Sequence, residues 1–414
     1  ASRDLLHWPT TLANGDWLER PELTTLLEGF QTDESSTTLL LGDPGCGKSA
    51  LLARLGNRMQ EAGWPVLGIK ADLLPENTLS SSALAEYLEL PQTVVATVRS
   101  IAAARPVLVL IDQLDALADL VVQHSSRLRL LLNLIRDLDD MPNVHIVASC
   151  RVFEQRHDPG LRNLEASILP LYLPAWEEVA RVLGDRGIQS GAWNADLRET
   201  LRSPHALTVY CELLDGTAEP DLENGFHGML EMQWRRKVLE SPDGPAKAKL
   251  LRAVAEGMAA REVLWLPAAQ FETQFQLIQA LQTTGLLIGT ESGGRIGFRH
   301  QTLYEFVRAK TFLTEAGSLT TNALARQASL RVRPLLWHAL FHLRRIDPDH
   351  YQNELRLLWG AELRPHLRML LIEFIGMQRE PLPGERTLAI ENFDNEWFRR
   401  RFLNVAVGSV GWFD

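Results

Sequence analysis

Gly42-Asp43-Pro44-Gly45-Cys46-Gly47-Lys48-Ser49 is the stretch on which the fold turns. It matches G-x-x-x-x-G-K-[ST], in which glycines let the backbone curl until successive N–H groups face a phosphate. In that pattern Lys48 brings its charge beside the terminal phosphates, and the Ser49 hydroxyl is a ligand for Mg²⁺. Apolar residues 38–41 precede the loop as a buried strand, and residues 50–62 follow with helical periodicity. A helix starting there aims its positive end at the same phosphate. A plain Gly-rich turn before a helix is the bland alternative, and the strand–loop–helix setting argues against it. Gly42, Asp43, Pro44, Gly45, Cys46, Gly47, Lys48, Ser49 and Ala50 are therefore expected to line a nucleotide. Backbone amides do that work, so the Cys46 thiol is assigned no role.

Outward from the loop, residues 66–70, 107–111, 144–148 and 167–171 also read as short buried strands with helix-period segments between them. Strands of that kind separated by helices imply a parallel sheet wrapped on both faces, an α/β P-loop NTPase fold. The strand 107–111 runs into Asp112-Gln113-Leu114-Asp115. Asp112, at the strand's C-terminal edge, is expected to hold Mg²⁺ together with Ser49. Asp115, on the next turn, is expected to polarise the attacking water. Acids after a strand often only start a turn or cap a helix; the phosphate loop upstream tips the reading toward catalysis. The strand 144–148 ends in Ser149-Cys150-Arg151, which places Arg151 on the nucleotide side as a reporter of the γ-phosphate. His145 alternates inside that strand and reads as a core histidine. The catalytic candidates are thus Lys48, Asp112, Asp115 and Arg151.

Beyond Pro174 the pattern turns helical, over residues 177–183, 196–214, 229–239 and 247–260. A helix at 275–282, strands 286–290 and 295–299 about Glu291-Ser292-Gly293-Gly294, and a helix from 301 to 314 together read as a winged helix. The expected domains are a lead-in segment 1–36, an α/β domain 37–174, a helical domain 175–246, a winged helix 247–316 and a helical, repeat-like region 317–414. The net charge of −10 speaks against bulk attraction to nucleic acid. Three cysteines without paired spacing fit a reducing, cytoplasmic setting, and no apolar run approaches a membrane span. The chain starts without Met, as expected of a piece of a longer protein.

With these residues in view, the sequence resembles the STAND class of signalling NTPases, nearest its NACHT branch. The acids three apart and the strand-end arginine are similar to that class's motifs. Ser203-Pro204-His205-Ala206-Leu207 resembles its proline motif, whose proline packs near the adenine. Phe298, His300, Glu305 and Phe306 resemble its F-x-H-x-x-x-x-E-F winged-helix signature. The resemblance implies that His300 contacts the β-phosphate of ADP and latches a closed state, with Glu305 and Phe306 as packing positions. Residues 16–23 are similar to the short motif that covers the base in related ATPases, making Arg20 a base or ribose contact; Glu19 stands where that motif has Gly. The implied function is an ATP/ADP switch with slow hydrolysis, plausible in antiviral defence, that self-assembles when the C-terminal helices bind a macromolecular ligand. ATP is preferred over GTP because no Asn-Lys-x-Asp sequence occurs. The alternative is a nucleic-acid-handling ATPase using the winged helix, with Arg299, Arg308 and Arg399-Arg400-Arg401 as basic positions. Nucleic acid is the less favoured partner, and a membrane is not expected.

Overall fold

The computed structural model describes residues 2–10, 17–32, 35–75, 77–118, 124–191, 193, 195–214, 225–261, 263–290, 294–313, 318–328 and 332–413. They form two compact units, residues 1–303 and 304–414.

In the first unit, β1 (Ser36–Leu41), β2 (Val66–Lys70), β3 (Val107–Asp112), β4 (Val144–Cys150) and β5 (Ser167–Pro170) form a parallel sheet of order β2-β3-β4-β1-β5. Every residue of β3 and β4 is buried, because both faces of these central strands are covered. Val107, Val109 and Ile111 pack in one core with the helices Val94–Ala102 and His124–Asp139. Leu108 and Leu110 face the other way, into a second core with the helices Pro21–Thr32 and Lys48–Glu61. Each fully buried Val, Leu or Ile contributes about 1.5–3 kcal/mol, so a continuous apolar run is stable only as a central strand. His145 is buried as a core residue, bonded to Ser36 Oγ at 2.8 Å. The order matters for the site: β4 lies between β1 and β3, which brings the C-terminal ends of all three together.

The sequence pattern 196–214 reads as one helix, but the structure breaks it into Ala195–Leu201 and Pro204–Leu214. A residue preceding proline is steered out of the helical region, whereas proline itself suits a first helical turn. The break exposes Ser203 and Pro204 at a helix start.

The helix Gly244–Ala260 leads to a small antiparallel sheet of β6 (Leu266–Pro267), β7 (Leu287–Gly289) and β8 (Arg295–Phe298), ordered β6-β8-β7. The helix Phe275–Thr283 joins β6 to β7. Both hairpin strands are shorter than expected, although Arg299 N still donates to Leu286 O at 3.2 Å and Thr290 N to Arg295 O at 3.0 Å. β6, with two residues, is too short to leave a periodic signal. The expected turn residues Glu291, Ser292 and Gly293 lie outside the described residues.

The second unit is helical: Leu319–Arg326, Val332–Ile346, Pro348–Gly360, Pro365–Gly376, Pro383–Asn392 and Glu396–Ala406 enclose one apolar core. Its buried Glu385 accepts from Tyr351 Oη at 2.6 Å, Arg344 Nε at 2.8 Å and the Leu382 amide at 2.6 Å, the pairing a buried carboxylate needs. No helix among the described residues is long and apolar enough to cross a membrane.

Candidate functional site

The phosphate loop leaves β1 at Leu41 and enters the helix at Lys48. Gly45 and Gly47 have φ of 80° and 99°, left-handed values that glycine adopts without steric cost. A side chain at Gly45 would also stand 3.2 Å from Ser203 Oγ. The Lys48 ammonium is held over the loop by the carbonyls of Gly42, at 2.7 Å, and Asp43, at 3.1 Å. Within the loop, Cys46 N donates to Asp43 O at 3.3 Å. Ala50 sits in the first turn of the helix.

Arg20, expected at the base or ribose, reaches the loop's main chain. Its Nη2 donates to the carbonyls of Cys46 and Tyr172, both at 2.9 Å, and Glu22 lies 3.9 Å away. The buried guanidinium thus braces the loop's main chain. Burial pulls its pKa down, against the opposing charges of Glu22 and Cys46. Asp16, at the start of that motif, lies outside the described residues.

Asp112 is fully buried at the end of β3. Ser149 Oγ donates to its Oδ1 at 2.6 Å and Lys70 Nζ to its Oδ2 at 3.1 Å, and Ser49 also bonds it. Burial alone would raise its pKa; the Lys70 charge and the Ser149 and Ser49 hydroxyls overcome this and hold the carboxylate below its ordinary value. Gln113, between the two acids, has φ of 61°, and its amide donates to Ser149 Oγ at 2.9 Å. That left-handed residue turns the chain so that Asp115 also comes back to the sheet edge, starting a short helix. Asp115 Oδ2 pairs with Arg151 Nε at 3.0 Å, and its buried Oδ1 has no hydrogen-bond partner among the described residues. Ser49 and Asp112 form a set of hard oxygen donors in contact, the chemistry that suits Mg²⁺.

The loop's other wall comes from the helical segment. Ser203 Oγ donates to Gly45 O at 3.3 Å, and Pro204 Cγ would lie 3.8 Å from a Cβ at Gly47. His205, which sequence reading does not single out, is the histidine against Gly45: its Cβ is 3.5 Å from where a Gly45 Cβ would be. His300 stacks on His205 with ring centroids 3.8 Å apart, and Thr302 Oγ1 lies 2.7 Å from His205 Nδ1. Burial, aided by Arg299, pushes His205 down to about 3. His300 is likewise held well below its ordinary value, by burial first and then by the positive neighbours. Both rings are neutral at physiological pH.

Sequence reading missed Lys70, Ser149, Ser203 and His205. Each is a generic polar residue at an element's end, and only the packing brings it to the site. Of the basic positions weighed for nucleic acid, Arg308 is buried and bonded to Thr311 Oγ1 at 2.6 Å, so it is not a surface contact.

Residues 38–168 match the family described as "AAA: ATPase family associated with various cellular activities (AAA)". The chain carries an ATPase domain of this type. It is accordingly an NTP-hydrolysing enzyme with a parallel five-stranded P-loop sheet, followed by a helical C-terminal region. A search of curated protein sequences finds no match. Among solved structures the chain is similar to Cdc6p from Pyrobaculum aerophilum, with 12% identity, a TM-score of 0.34, and coverage of 74% of this chain and 97% of that one. It is also similar to AMPPCP-bound DnaA from Aquifex aeolicus, with 15% identity, a TM-score of 0.37, and coverage of 84% and 96%. Domain III of the Thermotoga maritima replication initiation protein DnaA overlaps at 16% identity and a TM-score of 0.34, covering 50% and 88%.

Proposed function

We propose that this ATPase works as a conformational switch whose bound ATP or ADP joins the α/β domain to the segments that follow it. The observation that carries the reading is the second wall of the phosphate loop. Ser203 bonds Gly45, Pro204 and His205 stand where side chains at Gly47 and Gly45 would meet them, and His300 stacks on His205. A nucleotide on the loop is then shared between the sheet and elements more than 150 residues further along the chain.

In this reading the loop amides and Lys48 hold the phosphates, with Ser49 and Asp112 as the residues for Mg²⁺. When bound, Mg²⁺ neutralises charge on the transferring phosphoryl group. Asp115 Oδ1, the unpartnered buried acceptor, orients the attacking water. Arg151 neutralises Asp115 until a γ-phosphate offers a competing anion. Neutral His205 and His300 donate N–H groups toward phosphate oxygen without adding charge. Pro204 packs at the base side, and Arg20 stiffens the loop from behind. A ligand on the C-terminal helices and homo-oligomerisation complete the switch as expectations from the family resemblance; the narrower STAND, NACHT and antiviral readings rest on those motifs alone.

The test is the nucleotide carried by the full-length protein, with its retention measured in wild type and His300→Ala. Retained ADP, released faster by the variant, supports the switch; identical release rates overturn it.

A second reading has one observation behind it. The order helix, β6, helix, β7, β8 over residues 244–298 is that of a winged helix, a fold often seated on DNA. Its helix Phe275–Thr283 carries no Lys or Arg, so phosphate contacts would fall to Arg299 and to Arg399, Arg400 and Arg401. Salt-sensitive affinity of the full chain for duplex DNA, reduced by Arg299→Ala, would establish it.

A further inference from the structure

Lys70 closes β2, and its register partner across the sheet is Asp112. Its ammonium is 1% exposed and lies between two buried carboxylates, 3.1 Å from Asp112 Oδ2 and 3.5 Å from Asp72 Oδ1. The Trp8 ring covers it at 4.2 Å. Asp72 belongs to the three-residue turn Ala71–Leu73 that follows β2. That turn is where the small sheet lands. Trp265 Nε1 donates to Asp72 Oδ2 at 2.9 Å, and Arg295 Nη1 donates to Leu73 O at 2.8 Å. Trp265 itself is wedged against Gly297 of β8, where a side chain would meet the indole at 3.2 Å. An unbroken polar chain therefore runs from the small sheet through Trp265, Asp72 and Lys70 to the oxygen of Asp112.

We infer that Lys70 is a positioning residue for Asp112, and that Asp72, held by Trp265, sets how tightly Lys70 grips it, so that the seat of the small sheet tunes the metal-holding carboxylate. The inference rests on Asp112 being that carboxylate. Two buried acids share one buried cation here, so any strengthening of one ion pair weakens the other. Lys70 on Oδ2 would compete with a divalent cation for the charge of the same carboxylate. Neutralising Asp72 leaves Asp112 as the single anionic partner and tightens that competition. The coupling is reciprocal: what happens at Asp112 is felt at the small sheet. A Lys70 that only compensated buried charge would hold the fold together and leave the metal requirement of Asp72 variants unchanged.

The experiment uses the full chain and four variants, Asp72→Asn, Trp265→Phe, Lys70→Met and Asp112→Asn, each first checked for folding by thermal melting. Three quantities are read: the Mg²⁺ concentration giving half-maximal ATP turnover, the affinity for a fluorescent ADP analogue in EDTA, and backbone hydrogen exchange over 264–298. Asp72→Asn is expected to raise the Mg²⁺ requirement about threefold or more, with metal-free ADP affinity within about twofold of wild type. Trp265→Phe, which keeps an aromatic ring but loses the indole donor, is expected to shift the Mg²⁺ requirement and to speed exchange in 264–298. Asp112→Asn is expected to speed that same exchange from the other end. Lys70→Met is expected to lower both the Mg²⁺ requirement and the maximal rate. If it fails to fold, the other three variants decide. An unchanged Mg²⁺ requirement in both Asp72→Asn and Trp265→Phe, alongside a raised one or lost turnover in Asp112→Asn, overturns the inference and leaves the site reading intact. An unchanged requirement in Asp112→Asn overturns both.

Discussion

The phosphate loop has two walls of opposite character. On the sheet side stand Lys48, Asp112, Asp115 and Arg151, charged groups on the segments that follow β1, β3 and β4 or at their ends. On the helical side stand Ser203, Pro204, His205 and His300, neutral groups of which both imidazoles are kept uncharged by burial. Charge on the first wall is compensated within it, through Lys70 with Asp112 and Arg151 with Asp115. The second wall offers hydrogen bonds and ring surface. In the proposed function the first wall carries the chemistry and the second the sensing, since a transferring phosphoryl group needs fixed charge whereas a reporter must bind weakly enough to let go.

Variants on the two walls separate these roles. Lys48→Ala removes the cation proposed to meet the phosphates, and nucleotide binding and turnover are both expected to vanish; equilibrium binding of a fluorescent ATP analogue checks it. Asp115→Asn keeps the size of the side chain and loses the charge. It is expected to retain ATP while kcat falls about 100-fold, and a wild-type rate would remove Asp115 from the mechanism. On the neutral wall, His300→Ala is expected to weaken ADP by about tenfold, the size of one hydrogen bond to a charged group, with kcat changed far less. If kcat fell as far as in Asp115→Asn, the division between walls would collapse.

Acid is a gentler probe of the second wall. The ordinary histidine pKa is about 6.5, and in the fold His205 is held near 3. Below pH 6.5 the unfolded chain takes up a proton that the folded chain refuses. The stabilisation is therefore complete above pH 6.5 and is lost as pH falls toward 3, by roughly 1.4 kcal/mol per unit. Wild type should lose more thermal stability than His205→Asn between pH 7 and 5. Equal losses would mean that His205 is charged in the fold. The smallest effect is expected of Ser203→Ala, whose 3.3 Å bond to Gly45 O is worth about a threefold change in ADP affinity.

The two walls also differ in how far they can be read from sequence. The first wall is written in local patterns: a glycine-rich loop between strand and helix, and acids where an apolar run stops. Those patterns nominate Lys48, Ser49, Asp112 and Asp115 because a parallel strand points its C-terminal end toward the ligand side. Arg20 was named only by resemblance, and its buried guanidinium bonds the carbonyls of Cys46 and Tyr172. On the second wall Pro204 and His300 were legible only by resemblance. His205 passed unnoticed because nothing about a histidine one residue past a proline marks it until it stacks on a ring 95 residues away.

By itself the sequence determined the P-loop architecture, the five parallel strands to within a residue or two, and the identity of the phosphate loop, since hydrophobic period, glycine placement and strand ends are local properties of the chain. Tertiary structure alone decided that β4 stands between β1 and β3, which joins Asp112 to Ser49 and Ser149. It alone decided that 196–214 breaks at Pro204 to wall the loop, and that Lys70 links Asp112 to Trp265. Strand order and long-range side-chain pairing depend on which surfaces meet when the core closes, and no window of neighbouring residues carries that information.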